Sequence, residues 1–270
     1  MSDALSRFYA EKSEATRLLA GIGPLEAART RELLLQFLPS PPATIYDVGG
    51  GTGPYAQWLA QAGYSTHLLD LVADHIAAAR DQHPRIESTH VGDARTLPWA
   101  DESADVVLLM GPLYHLTAAS DRIMTLAEAR RVLRPGGLLF ATVIPRWASA
   151  LVGLLRGWVF DPAYGEMVRA EVTSGTHTRP VEWPGLFMDG YFHGPADVER
   201  EIATSGLVLE QVLAIEGPSW LVQDFDAAWQ DGARRERMME VARLAEAESS
   251  ILSVSPHVAV VARKDANPVA

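Results

Sequence analysis

The chain has 270 residues, of which 48% are hydrophobic and 21% charged, a composition typical of a globular protein with one large core. It contains no cysteine, which excludes disulfides, thiolate metal sites and a cysteine nucleophile. The formal net charge of −11 argues against a general role on nucleic-acid backbones, which calls for a basic surface.

The sequence shows no signal for export or for a membrane. The amino-terminal stretch MSDALSRFYAEKSE has no basic segment followed by an apolar run. The most apolar stretch, WASALVGLLRGWVF from Trp147, is too short for a membrane span and carries Arg156 in its middle. We therefore expect a cytoplasmic protein that does not act at a membrane, and a homodimer is compatible with the sequence.

Apolar runs alternate with helical patterns through the first half of the chain. The first forty residues predict two helices, the second with Pro24 in its first turn. Strands are predicted at 44–48, 65–69, 87–91, 105–110 and 138–144, and helices at 54–62, 73–82 and 120–133. This alternation predicts an α/β fold with a doubly wound parallel sheet covered by helices on both faces.

The alternation stops after Ile144. The next fifty residues are rich in aromatic residues, glycine and proline, and a helix and a strand return only at 195–215. HVAVVARK near the carboxyl terminus predicts the last strand. We expect a single domain with four parts, namely an amino-terminal helical cover (1–40), a cofactor-binding core (44–144), a helix-and-loop cap (145–195) and a segment that completes the sheet (196–264).

A glycine-rich turn, IYDVGGGTGPYA, follows the first predicted strand. Gly49, Gly51 and Gly53 let the backbone turn sharply into a helix and let a ligand approach the main chain, where the helix amino terminus offers unbonded amides. A structural turn is one interpretation, and a site for a nucleotide-type cofactor is the other. GTGPYA also fits the G-x-G-x-x-A fingerprint of dinucleotide enzymes.

Acidic residues follow the next two strands. Asp70 ends the run THLLD at the carboxyl edge of the sheet, where a carboxylate suits the two hydroxyls of a ribose; capping of the next helix is the alternative. Asp93, in HVGDAR, is placed to accept a hydrogen bond from an adenine amino group, and a dinucleotide enzyme has no particular need of an acid there. A fourth feature is the Leu-Arg-Pro-Gly-Gly turn, where Gly136 and Gly137 permit a tight reversal before the fifth strand.

With these four features in this order, the chain resembles the class I S-adenosylmethionine-dependent methyltransferases. DVGGGTG matches that family's D-x-G-x-G-x-G motif in full, and the resemblance is strong over 44–144 and weaker beyond. It implies a Rossmann-like, mostly parallel seven-stranded sheet, S-adenosylmethionine as the cofactor, and transfer of a methyl group to an O, N or C atom.

The resemblance also implies contacts with the cofactor. The glycines would wrap the methionine part, Asp70 would bind the ribose, and Asp47 would hold the loop or reach the cofactor's amino group through water. An aromatic residue or an arginine from the amino-terminal helices would contact the methionine end. The expected cofactor-binding set is Tyr9, Arg17, Asp47, Gly49, Gly51, Gly53, Asp70, Leu71, Asp93, Ala94, Met110 and His115.

The stretch VVLLMGPLYHLT raises the question of the acceptor, because in this family the loop after the fourth strand is where cofactor and acceptor meet. Gly111 stands where amino-methylating nucleic-acid enzymes often carry Asn or Asp, and Pro145-Arg146-Trp147 offers no carboxylate for a metal. We therefore expect a small-molecule acceptor, or less readily a peptide terminus or protein side chain, with no nucleic acid and no metal. The candidate catalytic residues are Tyr114, His115 and His193, and the candidate substrate contacts are Tyr114, Trp147, His177, Tyr191 and His193.

Alternatives remain open at this point. The aromatic residues of the cap suit simple packing, and each cap histidine suits a structural role. The fingerprint at Gly51 suggests a nicotinamide-dependent oxidoreductase, and a non-catalytic binding protein that keeps the cofactor fold is the third possibility. Thermal stabilisation by S-adenosylhomocysteine would support a methyltransferase, stabilisation by NAD an oxidoreductase, and stabilisation by neither a non-catalytic protein.

Overall fold

The computed structural model describes residues 17–183 and 186–266. Nine strands are described: β1 Thr44–Val48, β2 Ser65–Asp70, β3 Ser88–Val91, β4 Ala104–Leu109, β5 Leu133–Val143, β6 Thr176–His177, β7 Gly190–Tyr191, β8 Leu207–Ala214 and β9 Val258–Lys264. Seven of them form one sheet in the order β3-β2-β1-β4-β5-β9-β8, in which β1 to β5 run parallel and β9 is antiparallel to both neighbours. The predicted fold class is confirmed.

Helices cover both faces of this sheet. They are α1 Gly23–Phe37, α2 Pro54–Gln61, α3 Ala73–Gln82, α4 Pro112–His115, α5 Ala119–Val132, α6 Ala148–Arg156, α7 Pro162–Ser174, α8 Pro195–Thr204, α9 Phe225–Gln230 and α10 Gly232–Ala245. Short 3-10 turns lie at Trp158–Phe160, Gly217–Leu221 and Leu252–Val254. The first of the two predicted amino-terminal helices falls outside the described residues.

The central strands are buried on both sides. In β4, Val107 and Leu109 pack into one apolar layer and Val106 and Leu108 into the other, and all four are fully buried. This is why the sequence of β4 is continuously apolar rather than alternating. Four of the first five predicted strands, β1 to β4, lie within one residue of the observed ones. The fifth, β5, begins earlier than predicted, at Leu133, which pairs with Ala104 before a shift in register.

The chain reverses its direction of winding between β1 and β4, the two central neighbours in the sheet. At such a switch point the loops after adjacent strands diverge and leave a crevice at the carboxyl edge. Here the loops after β1 and β4 nearly touch at its base, where a Cβ added to Gly111 would lie 3.2 Å from the carbonyl oxygen of Gly49.

The segment after β5, the cap, folds back over this edge. It contains α6, α7 and a two-stranded antiparallel sheet, β6–β7, that the sequence did not predict. The cap rejoins the core where Pro145 pairs with His193. No helix among residues 17–183 and 186–266 is both long and apolar enough to cross a lipid bilayer.

Candidate active site

A cavity of about 650 Å³ lies at the carboxyl edge, above the β1/β4 switch point. Its volume is within the range of roughly 300–1,000 Å³ that is common for small-molecule sites. Ten of the residues expected from the sequence line it, namely Arg17, Gly49, Gly51, Asp70, Leu71, Asp93, Ala94, Met110, Tyr114 and His115.

The glycine loop forms one wall. Gly49, Gly51 and Gly53 have φ angles of 74°, 60° and 81°, in the left-handed region that favours glycine. A Cβ on Gly49 would lie 2.7 Å from the ring of Pro112, so this residue also allows close packing of the two loops. Gly53 is outside the cavity wall, and it caps α2 against Leu68.

Asp47 supports the loop from behind instead of lining the cavity. It is fully buried, and a Cβ on Gly50 would lie 2.5 Å from its carboxyl group. Burial raises the pKa of Asp47 to about 7. The close approach of the Asp47 carboxyl group leaves no room for a side chain at Gly50 in this loop.

Asp70 links the loop to the end of β2. Its carboxylate accepts hydrogen bonds from the backbone amides of Gly51 and Val72, both at 2.9 Å. The Nδ1 atom of His75 lies 3.1 Å from the same carboxylate. The side chain therefore fixes the glycine loop as well as lining the cavity, and His75 orients it, a contact that the sequence analysis missed.

Asp93 lies at the far end of the cavity and is paired with Arg95. The guanidinium donates to both carboxylate oxygens, at 3.0 Å and 2.6 Å, and the backbone amide of Arg95 donates at 2.9 Å. These side-chain hydrogen bonds hold the pKa of Asp93 below its usual value. The pairing, which the sequence analysis did not foresee, leaves the carboxylate less capacity for an adenine amino group.

The opposite end of the cavity is aromatic. Tyr114 donates a hydrogen bond to the carbonyl oxygen of Met110 at 3.2 Å, and its ring centroid lies 4.9 Å from that of His115. The ring of Phe187, from the cap, lies 5.0 Å from His115. Burial lowers the pKa of His115 to about 4, so its imidazole is neutral at physiological pH.

The structure does not bring the other expected substrate residues to the cavity. His177 packs against Phe192 and bonds to Glu171, and the imidazole of His193 lies 3.3 Å from Glu201. The Tyr191 ring lies under the guanidinium of Arg122, and Trp147 is half exposed on the cap surface. Trp147, His177, Tyr191 and His193, which were expected to contact the substrate, are therefore not among the residues that line this cavity. Tyr9 lies outside the described residues.

One side of the cavity was missed by the sequence analysis. It is formed by Glu26 on α1 and by His257, which immediately precedes β9. Arg17, which was expected to contact the methionine end of the cofactor, donates to both oxygens of Glu26, at 2.9 Å and 2.7 Å. The sequence gives no periodic signal for this side, because its residues come from the two ends of the chain.

Comparisons with known proteins agree with this architecture. Residues 46–141 match a family described as a methyltransferase domain. The chain is 34% identical over 147 residues to a ubiquinone/menaquinone biosynthesis C-methyltransferase of Acidiphilium cryptum, covering 51% of this chain and 58% of that protein. A malonyl-[acyl-carrier protein] O-methyltransferase of Pectobacterium atrosepticum is 33% identical over 114 residues, 42% of this chain and 44% of that protein.

The chain thus spans less than two thirds of the length of these curated relatives. A solved S-adenosylmethionine-dependent methyltransferase from Methanosarcina mazei superposes with a TM-score of 0.60 at 16% identity, over 87% of this chain and 98% of that one, which shows a common fold. Residues 46–141, with the DVGGGTG loop after β1, are thus similar to a methyltransferase domain, and the chain shares the fold of a solved S-adenosylmethionine-dependent methyltransferase.

Proposed function

We propose that this protein transfers the methyl group of S-adenosylmethionine to an O, N or C atom of a small molecule. The observation that carries the proposal is one continuous cavity with two chemically different ends. The end above β1 to β3 offers backbone amides and carboxylates, and the end beneath the cap offers aromatic and aliphatic side chains. A cofactor and an acceptor would meet where the two ends join.

The residues at the first end fit the cofactor. The glycine loop leaves the main chain open to a ligand, since side chains are absent at Gly49 and Gly51. Asp70 would bind the ribose hydroxyls, and Leu71 and Ala94 offer apolar surface for the adenine. When bound, S-adenosylmethionine supplies an electrophilic methyl carbon on a positively charged sulfur.

The residues at the second end would hold the acceptor. Tyr114, His115, Ile144 and Phe187 form a largely apolar wall that favours an acceptor with an aromatic or aliphatic body. Such a wall orients the acceptor and excludes water, which is most of what an in-line methyl transfer requires of a protein. The named activities of the two curated relatives, C- and O-methylation, keep both kinds of acceptor atom in the proposal.

The proposal includes the four-part division of the chain and a cytoplasmic location. The net charge of −11 supports a small molecule over a nucleic acid as the acceptor, and the lack of cysteine fits a reducing compartment. The comparisons give no support to the oxidoreductase or to the non-catalytic alternative.

Binding calorimetry with S-adenosylhomocysteine and NAD tests the proposal. We expect the first to bind and the second not to. Asp70→Asn should weaken binding of S-adenosylhomocysteine about 10- to 100-fold, because a hydrogen bond to a charged group contributes roughly 1.5–3 kcal/mol. Asp74→Asn, at an exposed position on α3, is the matched control and should bind as the wild type does. Binding of NAD alone, or unchanged affinity in Asp70→Asn, would refute the assignment.

A further inference from the structure

The side of the cavity formed by the chain ends carries a histidine at the level of the acceptor. Pairing of Leu109 with Ala141 and of Val143 with Val258 places His257 at the same carboxyl edge as the end of β4, two strands away. Two strand spacings amount to about 10 Å, a gap that two facing side chains and a small acceptor would fill. His257 lines the cavity.

A buried carboxylate fixes the orientation of this histidine. One oxygen of Glu216 lies 2.7 Å from Nδ1 of His257. The other accepts hydrogen bonds from the Ser255 hydroxyl at 2.9 Å and from the backbone amide of His257 at 3.0 Å. Because Glu216 is placed to accept, we assign the proton to Nδ1, which leaves Nε2, on the opposite side of the ring, as the basic nitrogen.

The charged groups around the ring make it a stronger base than usual. The groups that face it are Glu216, Glu26 from α1 at 3.9 Å, and Arg17, which is paired with Glu26. Burial by itself lowers the pKa of His257, but the two carboxylates outweigh burial and Arg17 together, so that the net shift raises the pKa above 6.5. Arg17 also lowers the pKa of His115, so both imidazoles lie within range of one guanidinium.

We propose that His257 is the general base that takes a proton from the acceptor, with Glu216 as its positioning residue. This inference rests on the proposed function and narrows its acceptor to a hydroxyl or an acidic carbon. Nε2 takes the proton of the O–H or C–H bond, and the electron pair left on the acceptor forms the bond to the methyl carbon. The carbon–sulfur pair stays on sulfur, and the proton passes from His257 to water after transfer.

His115 is the weaker candidate for this step. A pKa of about 4 makes its imidazole roughly a hundredfold or more weaker as a base than an ordinary histidine. Its ring stacks among Tyr114 and Phe187, a setting that suits orientation of an apolar acceptor. The structure thus moves the base from the loop after β4, where the sequence suggested it, to the residue before β9.

The same side chains raise the question of a metal, because single ligand atoms of Glu26, Glu216 and His257 lie within 4.8 Å of one another. Arg17 already donates to both oxygens of Glu26, and O–H and N–H groups donate to both oxygens of Glu216. The carboxylates are therefore used by hydrogen-bond donors, which favours the base over a metal ligand set.

The first test measures the pKa of His257 by NMR and needs no acceptor. The NMR signal of His257 is identified by its loss in His257→Gln, and its titration should have a midpoint above 6.5 that falls in Glu216→Gln. Glu26→Gln is a second variant with the same expected direction, and Glu166→Gln, on an exposed turn of α7, is the control that leaves the midpoint unchanged. A midpoint below 6.5, or a signal that shifts on addition of Zn²⁺, would overturn the proposal.

The second test measures the reactivity of the His257 imidazole and its effect on methyl transfer. Diethyl pyrocarbonate should acylate His257, detected by mass spectrometry, with a rate that rises through the same midpoint, while the partly exposed His83 serves as internal standard. With S-adenosylmethionine, we expect methylation of 4-hydroxybenzoate or acetylacetone in preference to benzylamine, and a loss of 100-fold or more in His257→Gln.

The two proposals fail in different ways. Absence of S-adenosylhomocysteine binding would refute the proposed function whatever the state of His257. If S-adenosylhomocysteine binds normally, two results would overturn only the assignment of His257 as the base. One is a His257 that does not react with diethyl pyrocarbonate, and the other is methylation of neither 4-hydroxybenzoate nor acetylacetone, whether or not benzylamine is methylated.

Discussion

Replacing Arg122 with methionine should destabilise the protein strongly, because this side chain joins α5 to α8 and to the Tyr191 ring of the cap. Its guanidinium donates to Glu201 at 3.0 Å and 2.6 Å and to the carbonyl oxygens of Leu116 and Thr117, both at 2.8 Å. It also lies 3.6 Å above the Tyr191 ring. The side chains of Arg122 and Glu201 are 1% and 2% exposed, so water does not screen this pair.

The magnitude follows from what the variant leaves behind. The Glu201 carboxylate stays buried beside the imidazole of His193 at 3.3 Å, and burial lowers the pKa of that imidazole, so it adds little compensating positive charge. Removal of one member of a buried ion pair costs about 3–5 kcal/mol. For a domain of this size each kcal/mol lowers the melting temperature by about 2–4 °C, so the expected loss is roughly 6–20 °C.

Thermal unfolding followed by circular dichroism measures the effect. The control is Arg169→Met, because Arg169 and its partner Glu166 are both highly exposed. This variant should lose less than about 1 kcal/mol of unfolding free energy. Adding Glu201→Met to Arg122→Met should restore much of the stability, because the uncompensated buried charge is then gone. Equal melting temperatures for Arg122→Met and Arg169→Met would refute the reasoning.

Two further predictions concern the cavity. Gly51→Val should abolish binding of S-adenosylhomocysteine in calorimetry. The control is Gly157→Val, which has a similar positive φ but no atom within 4 Å of the added Cβ and should bind normally. Binding by Gly51→Val would show that the loop is not part of the site. Because burial lowers the pKa of His115 to about 4, the unfolded chain takes up this proton first, and stability should fall as pH drops from about 6.5 towards 4. His115→Gln should lose less stability than the wild type between pH 7 and 4.5 in urea unfolding, and an equal loss in both would contradict the burial argument.

The cofactor end of the site was predictable because its signals are local. Gly49 and Gly51 follow β1 directly, Asp70 ends β2, and Asp93 follows β3 by two residues. Parallel strands bring their carboxyl ends to one edge, so correct assignment of the strands was sufficient to place these residues together. The continuously apolar sequence of β4 identified the centre of the sheet in the same way.

The cap histidines were misplaced because no periodic pattern fixes their direction. The orientation of His177 depends on its pairing with Gly190, and that of His193 on its position beside Glu201. Both contacts join segments that the sequence shows only as a long aromatic loop. Polar residues in such a loop suggest a binding site, but here each of the two imidazoles is buried against a carboxylate, His177 beside Glu171 and His193 beside Glu201.

The missed side of the cavity depends on contacts across the length of the chain. Glu216 and His257 are 41 residues apart, and Glu26 comes from the opposite terminus. Only the antiparallel insertion of β9 between β5 and β8 brings them together. HVAVVARK was predicted as a strand, and its first residue, His257, lies at the carboxyl edge of the sheet and lines the cavity.

Two of the imidazoles that line the cavity, those of His115 and His257, show how position determines the pKa of a side chain. His115 lies among aromatic rings, where burial lowers its pKa, and His257 lies beside two carboxylates, which raise its pKa. Shifts in opposite directions give one residue type two roles in one site, a neutral surface that orients and a base that exchanges protons. The difference in pKa follows from where each residue lies in the fold. His115 ends the short helix after β4, and His257 comes directly before β9.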